Sequence, residues 1–344
     1  MNFEHGGDVY SNKIFYDFSA NLNPLGMPES VANALKNSVD KWEKYPDHFC
    51  RKLTEKIAEH ENFPAENIVC GNGAADLIYR IIQTFKPKKS VICAPSFSEY
   101  KKALTEFGSK INIYYLSENN GFVLDVGILE MLTESVDMLI LCSPNNPTGI
   151  TIDSKILEMI CKKCLEKNII FLCDECFMDF VKNGENLSAK NLMNKNIIIL
   201  KAFTKIYAMA GLRLGYALFG SSENAEKVRK AGQFWSVSTP AQIAGIVTLG
   251  EKNYIQKTIE IIEKERDFLC NELLKLNFKV YRSEANFILF KCNLPLDTLL
   301  LKHKILIRNC ANFDGLGENF FRIAVRSHDE NIALIEALRR VANG

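Results

Sequence analysis

The amino-acid sequence predicts an α/β fold, in which helices cover a mostly parallel sheet and a smaller α+β domain follows. Three observations support this prediction. Apolar, β-rich runs alternate with helical patterns through the first two-thirds of the chain, as in repeated β-α-β units. These runs lack clean polar–apolar alternation, which is typical of strands buried on both faces. The length of 344 residues also exceeds what one simple β-sandwich needs.

The predicted elements of the sheet domain alternate between strand and helix. Strands are expected at residues 90–94, 111–115, 137–142, 169–173, 197–201 and 214–219. Helices are expected at residues 75–84, 98–107, 126–133 and 154–167. A further short strand ends near Cys70, before the first of these helices. Because strands joined through helices pair in parallel, ligands are expected at the edge where their carboxyl ends meet.

The pattern changes after about residue 254. A long helix is expected at 254–276, strands at 279–281, 286–292, 305–308 and 320–325, and a closing helix at 329–342. These elements predict a smaller α+β domain that packs with the N-terminal segment. The expected division is a large domain at residues 30–250 and a small domain formed by residues 1–29 and 251–344.

Composition excludes several function classes. The 42 Lys and Arg residues balance 41 Asp and Glu residues, so no basic surface for nucleic acid is expected. The apolar runs fall far short of the roughly 20 residues that span a bilayer, so no membrane segment is expected. The 11 cysteines form no disulfide framework, and several lie in apolar runs. This usage favours a reducing, cytoplasmic location.

Two Cys-x-x-Cys pairs raise the possibility of a metal site. Cys161 and Cys164 lie in a predicted helix, and Cys173 and Cys176 lie at a strand end. The gap of eight residues between the pairs is shorter than the 15–20 of common zinc ribbons, and no glycine-rich knuckle is present. We therefore expect buried thiols and no metal.

Lys205 follows a predicted buried strand and is flanked by small and aromatic residues. Burial lowers the pKa of a lysine, and a neutral amine is what Schiff-base chemistry requires. The alternative is an ordinary surface lysine whose stem is buried. Arg213 lies between Gly211 and Gly215, which allow close backbone approach, so it is a candidate anion ligand.

Polar residues also follow two neighbouring predicted strands. Asn146 lies in the loop 143–149 and can donate its amide to a ligand oxygen, although the loop is also ordinary turn chemistry. Asp174 follows the next strand and can bind a protonated ring nitrogen, or else serve as a helix cap or in an ion pair.

A run of small residues, Gly73, Ala74 and Ala75, opens a predicted helix. Backbone N–H groups at such a helix start favour a phosphate. A dinucleotide-binding loop is the rival interpretation. It is weak because Asp76 stands where that motif has Gly or Ala.

Taken together, Lys205, Arg213, Asn146 and Asp174 in this order resemble the fold-type I family of pyridoxal-phosphate enzymes, the class I/II aminotransferases. The resemblance covers nearly the whole chain and implies a large domain with a mostly parallel seven-stranded sheet. It implies that Lys205 and Asp174 are catalytic: Lys205 forms the internal aldimine with pyridoxal 5'-phosphate and Asp174 pairs with the ring nitrogen.

The resemblance assigns further cofactor contacts. Asn146 binds the ring hydroxyl, Phe97 stacks on the ring, and Arg213 with the backbone of 73–75 holds the phosphate. Tyr45 resembles the tyrosine that reaches across a homodimer to the partner's cofactor. Many relatives have a phosphate-binding Ser or Thr at the position of Ala202, so this phosphate contact is expected either to be missing or to be supplied by Thr204. Phe177 likewise stands where many aminotransferases have a tyrosine, so Asn146 carries more of its role.

Both ends of the chain favour one subfamily. Residues 5–7, 17–26, 305–313 and 321–327 resemble the threonine-phosphate decarboxylases of cobalamin biosynthesis. The implied reaction converts L-threonine O-3-phosphate to aminopropanol phosphate. Histidinol-phosphate aminotransferase is the alternative, since it shares the core, and a serine-phosphate decarboxylase is also possible. Other classes are a nicotinamide-dependent dehydrogenase and a non-catalytic cofactor-binding regulator.

The substrate is expected to be a small phosphorylated amino acid or amino alcohol. Arg322 and Arg326 lie four residues apart on a predicted strand, so both should project from one face and form an anion pocket with Arg308. In this interpretation Arg322 and Arg308 bind the substrate carboxylate, and His5 and Arg326 bind its phosphate. For Arg326 a surface ion pair is the alternative, and for His5 the alternative is a flexible N-terminus. Asn23 is a further candidate substrate contact.

Overall fold

The computed structural model describes residues 5–11, 13–251 and 253–342. The helices, in chain order α1–α12, are Glu29–Lys36, Arg51–Glu61, Ala74–Phe85, Ser98–Glu106, Ile128–Met131, Ser154–Glu166, Phe203–Ile206, Ser222–Ala231, Thr239–Thr248, Tyr254–Lys275, Leu296–Leu301 and His328–Ala342. The strands, in chain order β1–β13, are Tyr16–Asp17, Ile68–Gly71, Lys89–Ala94, Lys110–Tyr115, Met138–Cys142, Ile170–Asp174, Ile197–Ala202, Gly215–Phe219, Lys279–Val280, Phe287–Lys291, Ile305–Leu306, Arg308–Asn309 and Phe320–Ala324.

The predicted mostly parallel sheet is confirmed. It has seven strands in the order β2-β8-β7-β6-β5-β3-β4. Only β8 runs antiparallel to its neighbours, β7 and β2. β6 pairs in parallel with both of its neighbours, β5 and β7. The carboxyl ends of these three strands therefore lie at the same edge of the sheet.

Burial on both faces explains the continuous apolar strands. Ile198 packs in the core on one face of the sheet with residues of α3, whereas the next residue, Ile199, packs in the core on the other face. Both side chains are at most 1% exposed. A strand that buries successive residues on opposite faces has no polar face, and this is why the sequence pattern lacks alternation.

Two smaller sheets complete the fold. One has four antiparallel strands in the order β12-β13-β10-β9, and the other pairs β1 with β11 in parallel. The strand expected at 305–308 is therefore wrong as one element, because β11 pairs with the N-terminal β1 and β12 pairs with β13. The helix expected at 126–133 is only the single turn α5, Ile128–Met131.

The pairing of β1 with β11 ties the N-terminal segment to the C-terminal part of the chain. This contact supports the division that we propose, a large domain at residues 30–250 and a small domain formed by 1–29 and 251–344. Residues 1–4, 12, 252 and 343–344 of that small domain lie outside the described residues.

The four cysteines of the two Cys-x-x-Cys pairs have buried thiols. Cys161 and Cys164 lie inside α6, Cys173 lies in β6, and Cys176 follows that strand. Within the described ranges no cluster of three or more His, Cys, Asp or Glu side chains is arranged to hold a metal ion. Over the same part of the chain, no helix is both long and apolar enough to cross a bilayer.

Candidate active site

A cavity of about 230 Å³ opens at the carboxyl edge of the main sheet, as the parallel topology predicts. Most of the predicted site residues line it: His5, Ala74, Ala75, Phe97, Asn146, Asp174, Thr204, Lys205, Arg213, Arg308 and Arg322. These residues come from the two ends of the chain and from the loops after β2, β3, β5, β6 and β7. The fold thus brings distant parts of the sequence together at one place.

Lys205 is placed by a strand end. β7 ends at Ala202, and the one-turn helix α7, Phe203–Ile206, presents Lys205 to the cavity. Burial, together with the nearby cation of Arg322, lowers the pKa of Lys205 from its usual 10.5 to about 8. A minor fraction of the amine is therefore neutral at pH 7, far more than for an ordinary lysine, and is available as a nucleophile or base.

Asp174 is the last residue of β6 and is 5% exposed. The Tyr100 hydroxyl donates a hydrogen bond of 2.6 Å to Oδ2, and the Cys176 backbone N–H donates one of 3.0 Å to Oδ1. Burial raises the pKa of Asp174, although both hydrogen bonds act in the opposite direction. A buried carboxylate of this kind favours a cationic group in the cavity.

The start of α3 forms a site for an anion. Gly73 precedes the helix with φ of +87°, and a Cβ there would lie 2.6 Å from Arg213 Nη2. A Cβ on Gly215 would lie 2.9 Å from the Ala74 nitrogen. The two glycines therefore let the guanidinium and the first backbone N–H groups of the helix converge, which is the arrangement of a phosphate cradle.

Arg322 on β13 and Asn146 after β5 are joined directly. One guanidinium nitrogen, Nη1, donates to Asn146 Oδ1, and Nη2 donates to the Ser19 carbonyl at 2.8 Å. Burial lowers the pKa of Arg322 to about 10, and the positive charge of Arg308 acts in the same direction. Two mutually repelling cations at one cavity favour an anionic ligand.

His5 and Arg308 lie at the same cavity with partners of their own. His5 Nε2 is 3.0 Å from Glu99 Oε1, and its ring lies 5.7 Å from the ring of Phe97. Arg308 donates to Asn312 Oδ1 at 2.6 Å. Both side chains therefore already have polar contacts that hold them in place.

Four of the predicted residues do not line the cavity. Gly73 lies directly against the Arg213 guanidinium, where a Cβ would be 2.6 Å from Nη2. Asn23 is buried and donates to the Ile206 carbonyl and to Thr258 Oγ1, both at 2.7 Å. It therefore connects the N-terminal segment to α7 and α10. Tyr45 is 79% exposed and stacks on Trp235 at 4.4 Å, outside the cavity of this chain.

Arg326 is the fourth, and the expectation that it shares a strand face with Arg322 is wrong. β13 ends at Ala324, so residue 326 lies outside the strand and the alternation of side chains along a strand does not place it on the face of Arg322. Arg326 instead donates to Glu330 at 2.9 Å in the first turn of α12. The ion pair that was the alternative from sequence is what the structure shows.

Sequence reasoning missed several residues that line the cavity, among them Tyr100, Asn21 and Ser19. Tyr100, which holds Asp174, lies three residues after Phe97 along α4, and that helical spacing was the available signal. Asn21 lines the cavity in place of Asn23, and its side-chain Oδ1 is buried without a hydrogen-bond partner. An unpaired buried acceptor is expected where a ligand supplies the donor.

These groups fit pyridoxal phosphate. The cradle of Gly73, Ala74 and Arg213 matches a phosphate, and the buried Asp174 matches a protonated ring nitrogen. Lys205, with its lowered pKa, matches the aldehyde. Phe97 and Thr204 line the same cavity and match the ring and a second phosphate contact.

Comparisons with known proteins agree with this geometry. The model of the family "Aminotransferase class I and II" matches residues 13–338. The chain is 37% identical to threonine-phosphate decarboxylase of Salmonella typhimurium, over 100% of this chain and 98% of that protein. It is 28% identical to histidinol-phosphate aminotransferase of Methanococcus aeolicus, over 94% of this chain and 89% of that protein. The solved structure of histidinol-phosphate aminotransferase from Clostridium acetobutylicum is similar with a TM-score of 0.90 and 32% identity, covering 96% of this chain and 99% of that one.

Proposed function

The chain belongs to the class I and II aminotransferase family, and from that premise we propose that it is a pyridoxal-phosphate enzyme that decarboxylates L-threonine O-3-phosphate to aminopropanol phosphate. This is a reaction of cobalamin biosynthesis. The 37% identity to a threonine-phosphate decarboxylase over the whole chain supports the proposal. The cationic side chains of the cavity support it independently.

The bound cofactor would supply an electron sink for the charge that develops at the substrate Cα. Arg213, Thr204 and the start of α3 would hold its phosphate. Asp174 would hold its ring nitrogen, and the Tyr100 hydrogen bond would keep that carboxylate oriented and ionised. Asn146 would contact the ring hydroxyl and Phe97 the ring face.

We propose that Lys205 donates the proton that the reaction adds to the substrate Cα. In a decarboxylation the bond between Cα and the carboxylate carbon breaks, carbon dioxide leaves, and one proton is added to Cα. Lys205 Nζ lies in the cavity with a pKa of about 8, so both its protonated and neutral forms are accessible near neutral pH. A group with this pKa is suited to donate that proton.

The single observation that carries the choice of substrate is that Arg308 and Arg322 both line the cavity, in addition to Arg213. Arg213 is assigned to the cofactor phosphate, and we assign the other two guanidinium groups, which also contact Asn312, Asn146 and Ser19, to the substrate. Threonine phosphate has a carboxylate and a phosphate. We propose that Arg322 and Arg308 bind the carboxylate and that His5 contributes to binding the phosphate.

Histidinol-phosphate aminotransferase is the second candidate. A specific observation favours it, namely the TM-score of 0.90 and 32% identity to the Clostridium acetobutylicum structure of that name. Such an enzyme must accept histidinol phosphate and also glutamate, whose two carboxylates would engage the same arginines. A serine-phosphate decarboxylase would use the same site with a substrate lacking one methyl group.

A side-by-side assay tests these candidates. The protein loaded with pyridoxal phosphate is supplied separately with threonine phosphate, with serine phosphate, and with histidinol phosphate plus 2-oxoglutarate. Carbon dioxide release from threonine phosphate at the highest kcat/KM supports the proposal. Glutamate formation from histidinol phosphate without carbon dioxide release from either phosphoamino acid contradicts it.

We also propose a cytoplasmic homodimer. Tyr45, Phe234 and Trp235 form an exposed aromatic surface, with exposures of 79%, 69% and 46%. Large exposed aromatic patches mark protein interfaces. A second copy of the chain on this surface would bring Tyr45 to the partner's cofactor. Sedimentation equilibrium of the wild type and of Trp235→Ala tests it, with a monomeric wild type as the contradicting result.

A further inference from the structure

Ser19 contacts two functional parts of the cavity at once. It is 1% exposed and lies between the N-terminal segment and β13. Its Oγ accepts a hydrogen bond of 2.7 Å from the Gly7 backbone N–H. Its carbonyl oxygen accepts one of 2.8 Å from Arg322 Nη2. One residue thus contacts both the segment that carries His5 and the arginine assigned to the substrate carboxylate.

Asp17 holds Ser19 in the orientation that permits both contacts. Asp17 Oδ1 accepts from the Ser19 backbone N–H at 2.8 Å and from the Ser19 hydroxyl at 2.6 Å. Because the hydroxyl donates to Asp17, its lone pairs remain available to Gly7. Asp17 itself is anchored in β1, which pairs with β11. The carboxylate that holds Ser19 is therefore carried by a strand of a sheet.

The N-terminal segment lies tightly against Ser19. A Cβ on Gly6 would lie 2.2 Å from the Ser19 carbonyl oxygen, so only glycine permits this approach. With Gly6 and Gly7 fixed on Ser19, the neighbouring His5 is held at the cavity beside Phe97. The position of His5 therefore depends on Ser19 through the backbone, in addition to the contact of its ring with Glu99.

Building on the proposed function, we propose that Ser19 is a positioning residue that sets the spacing between His5 and Arg322, and hence between the two anion-binding ends of the substrate site. Its two contacts are chemically separable. Replacing the hydroxyl removes the hold on Gly7, while the backbone carbonyl that holds Arg322 stays. A Ser19→Ala substitution is thus expected to loosen only the end that binds the substrate phosphate.

The kinetic expectation follows from that separation. In Ser19→Ala, the KM for threonine phosphate rises by about five- to twentyfold through the loss of one buried hydrogen bond, and kcat stays within about twofold. The preference for threonine phosphate over threonine falls by the same factor. A lower kcat with an unchanged KM would overturn the proposal, because it would place the effect on the reacting atoms.

Matched variants separate positioning from folding. Asp17→Ala removes the acceptor of both Ser19 hydrogen bonds and should raise the KM at least as much as Ser19→Ala. Ser221→Ala is the control, since Ser221 Oγ also accepts a backbone N–H, at 3.3 Å from Asn224, but lies away from the cavity. Its KM should equal that of the wild type.

A double-mutant cycle then tests whether Ser19 acts through His5. Once His5→Ala has removed the imidazole, adding Ser19→Ala should raise the KM by less than twofold. Full additivity of the two changes would overturn the proposal.

A second readout does not depend on the substrate. Amide hydrogen exchange of residues 5–11 is measured in the protein loaded with pyridoxal phosphate, and Ser19→Ala should accelerate it at least tenfold while Ser221→Ala does not. Unchanged exchange would overturn the anchoring by Ser19 whatever the enzyme catalyses. If exchange is faster in Ser19→Ala but the wild type releases no carbon dioxide from threonine phosphate, the proposed function is refuted and the anchoring by Ser19 is still supported.

Discussion

The buried hydroxyl of Tyr100 donates a hydrogen bond of 2.6 Å to Asp174 Oδ2. The backbone N–H of Cys176 occupies the other carboxylate oxygen, at 3.0 Å. Each oxygen thus has one donor and keeps lone pairs for a further partner. Burial raises the pKa of Asp174, and these two donors oppose that effect. Tyr100 therefore helps to keep a buried carboxylate ionised for a cationic ligand.

Removing this hydroxyl should weaken the cofactor site. Tyr100→Phe leaves Asp174 with one donor fewer, so its pKa rises further and its ionised form is less favoured. We expect about a tenfold loss of affinity for pyridoxal phosphate, measured by spectroscopic titration of the apoprotein. Tyr216→Phe is the control, because Tyr216 donates to another buried carboxylate, Glu61, at 2.5 Å. It should lower stability similarly without changing the affinity, and equal affinities for all three proteins would refute the role of Tyr100.

The amine of Lys205 should titrate well below an ordinary lysine. Its pKa is about 8 instead of 10.5, so in the apoprotein the rate of Lys205 acylation by an amine-reactive reagent should rise with a midpoint near pH 8. The unfolded chain binds this proton up to pH 10.5, so the contribution of Lys205 to stability increases as the pH rises from about 8 to 10.5. Arg322→Gln removes a neighbouring cation and should move the midpoint upward. A midpoint above pH 10 in the wild type would contradict this prediction.

Arg322 and Arg326 should differ sharply in their effect on catalysis. Arg322→Ala removes charge-assisted hydrogen bonds in the cavity and should lower kcat/KM for threonine phosphate by about 100-fold, or about 3 kcal/mol. Arg326→Ala removes only the partly exposed pair with Glu330, so kcat/KM should stay within about twofold and stability should fall by less than about 1 kcal/mol. Unchanged kinetics in Arg322→Ala would refute the assignment, and a large kinetic loss in Arg326→Ala would return that residue to the substrate site.

The phosphate cradle can be tested with two glycines of similar backbone geometry. Gly73→Ala combines a φ of +87° with a Cβ 2.6 Å from Arg213 Nη2, whereas Gly108→Ala has a φ of +77° and no atom within 4 Å. Both should lose about 1 kcal/mol of stability from backbone strain. Only Gly73→Ala should also weaken pyridoxal phosphate binding, by at least about tenfold, because it displaces the guanidinium. Equal affinities in the two variants would refute the cradle.

The sequence was sufficient where local pattern and function coincide. β7 was predicted from its apolar run, because a strand buried on both faces has no polar positions to obscure it. Lys205, Asp174 and Asn146 were predicted to lie together because each lies at or just after the end of such a strand, and all three line the cavity.

The missed and corrected features depend on long-range contacts. Asn23 and Asn21 are equivalent in local pattern, yet Asn23 donates to Thr258, 235 residues away, while Asn21 faces the cavity. The two-residue strand β1 has no local signal and forms only against β11. The apolar run at 305–308 was predicted as one strand, but its two halves pair with different partners, β1 and β13. Arg326 leaves the expected face because β13 ends two residues earlier.

The sequence by itself thus determined the parallel sheet, the strand ends that carry Lys205 and Asp174, and the family resemblance. The tertiary structure alone decided which polar side chains enter the cavity, that Tyr100 holds Asp174, and that Ser19 joins the His5 segment to Arg322. The physical reason is that apolar periodicity is a local property. The target of a buried hydrogen bond is instead fixed by whichever distant backbone or side-chain group the packed chain places within about 3 Å.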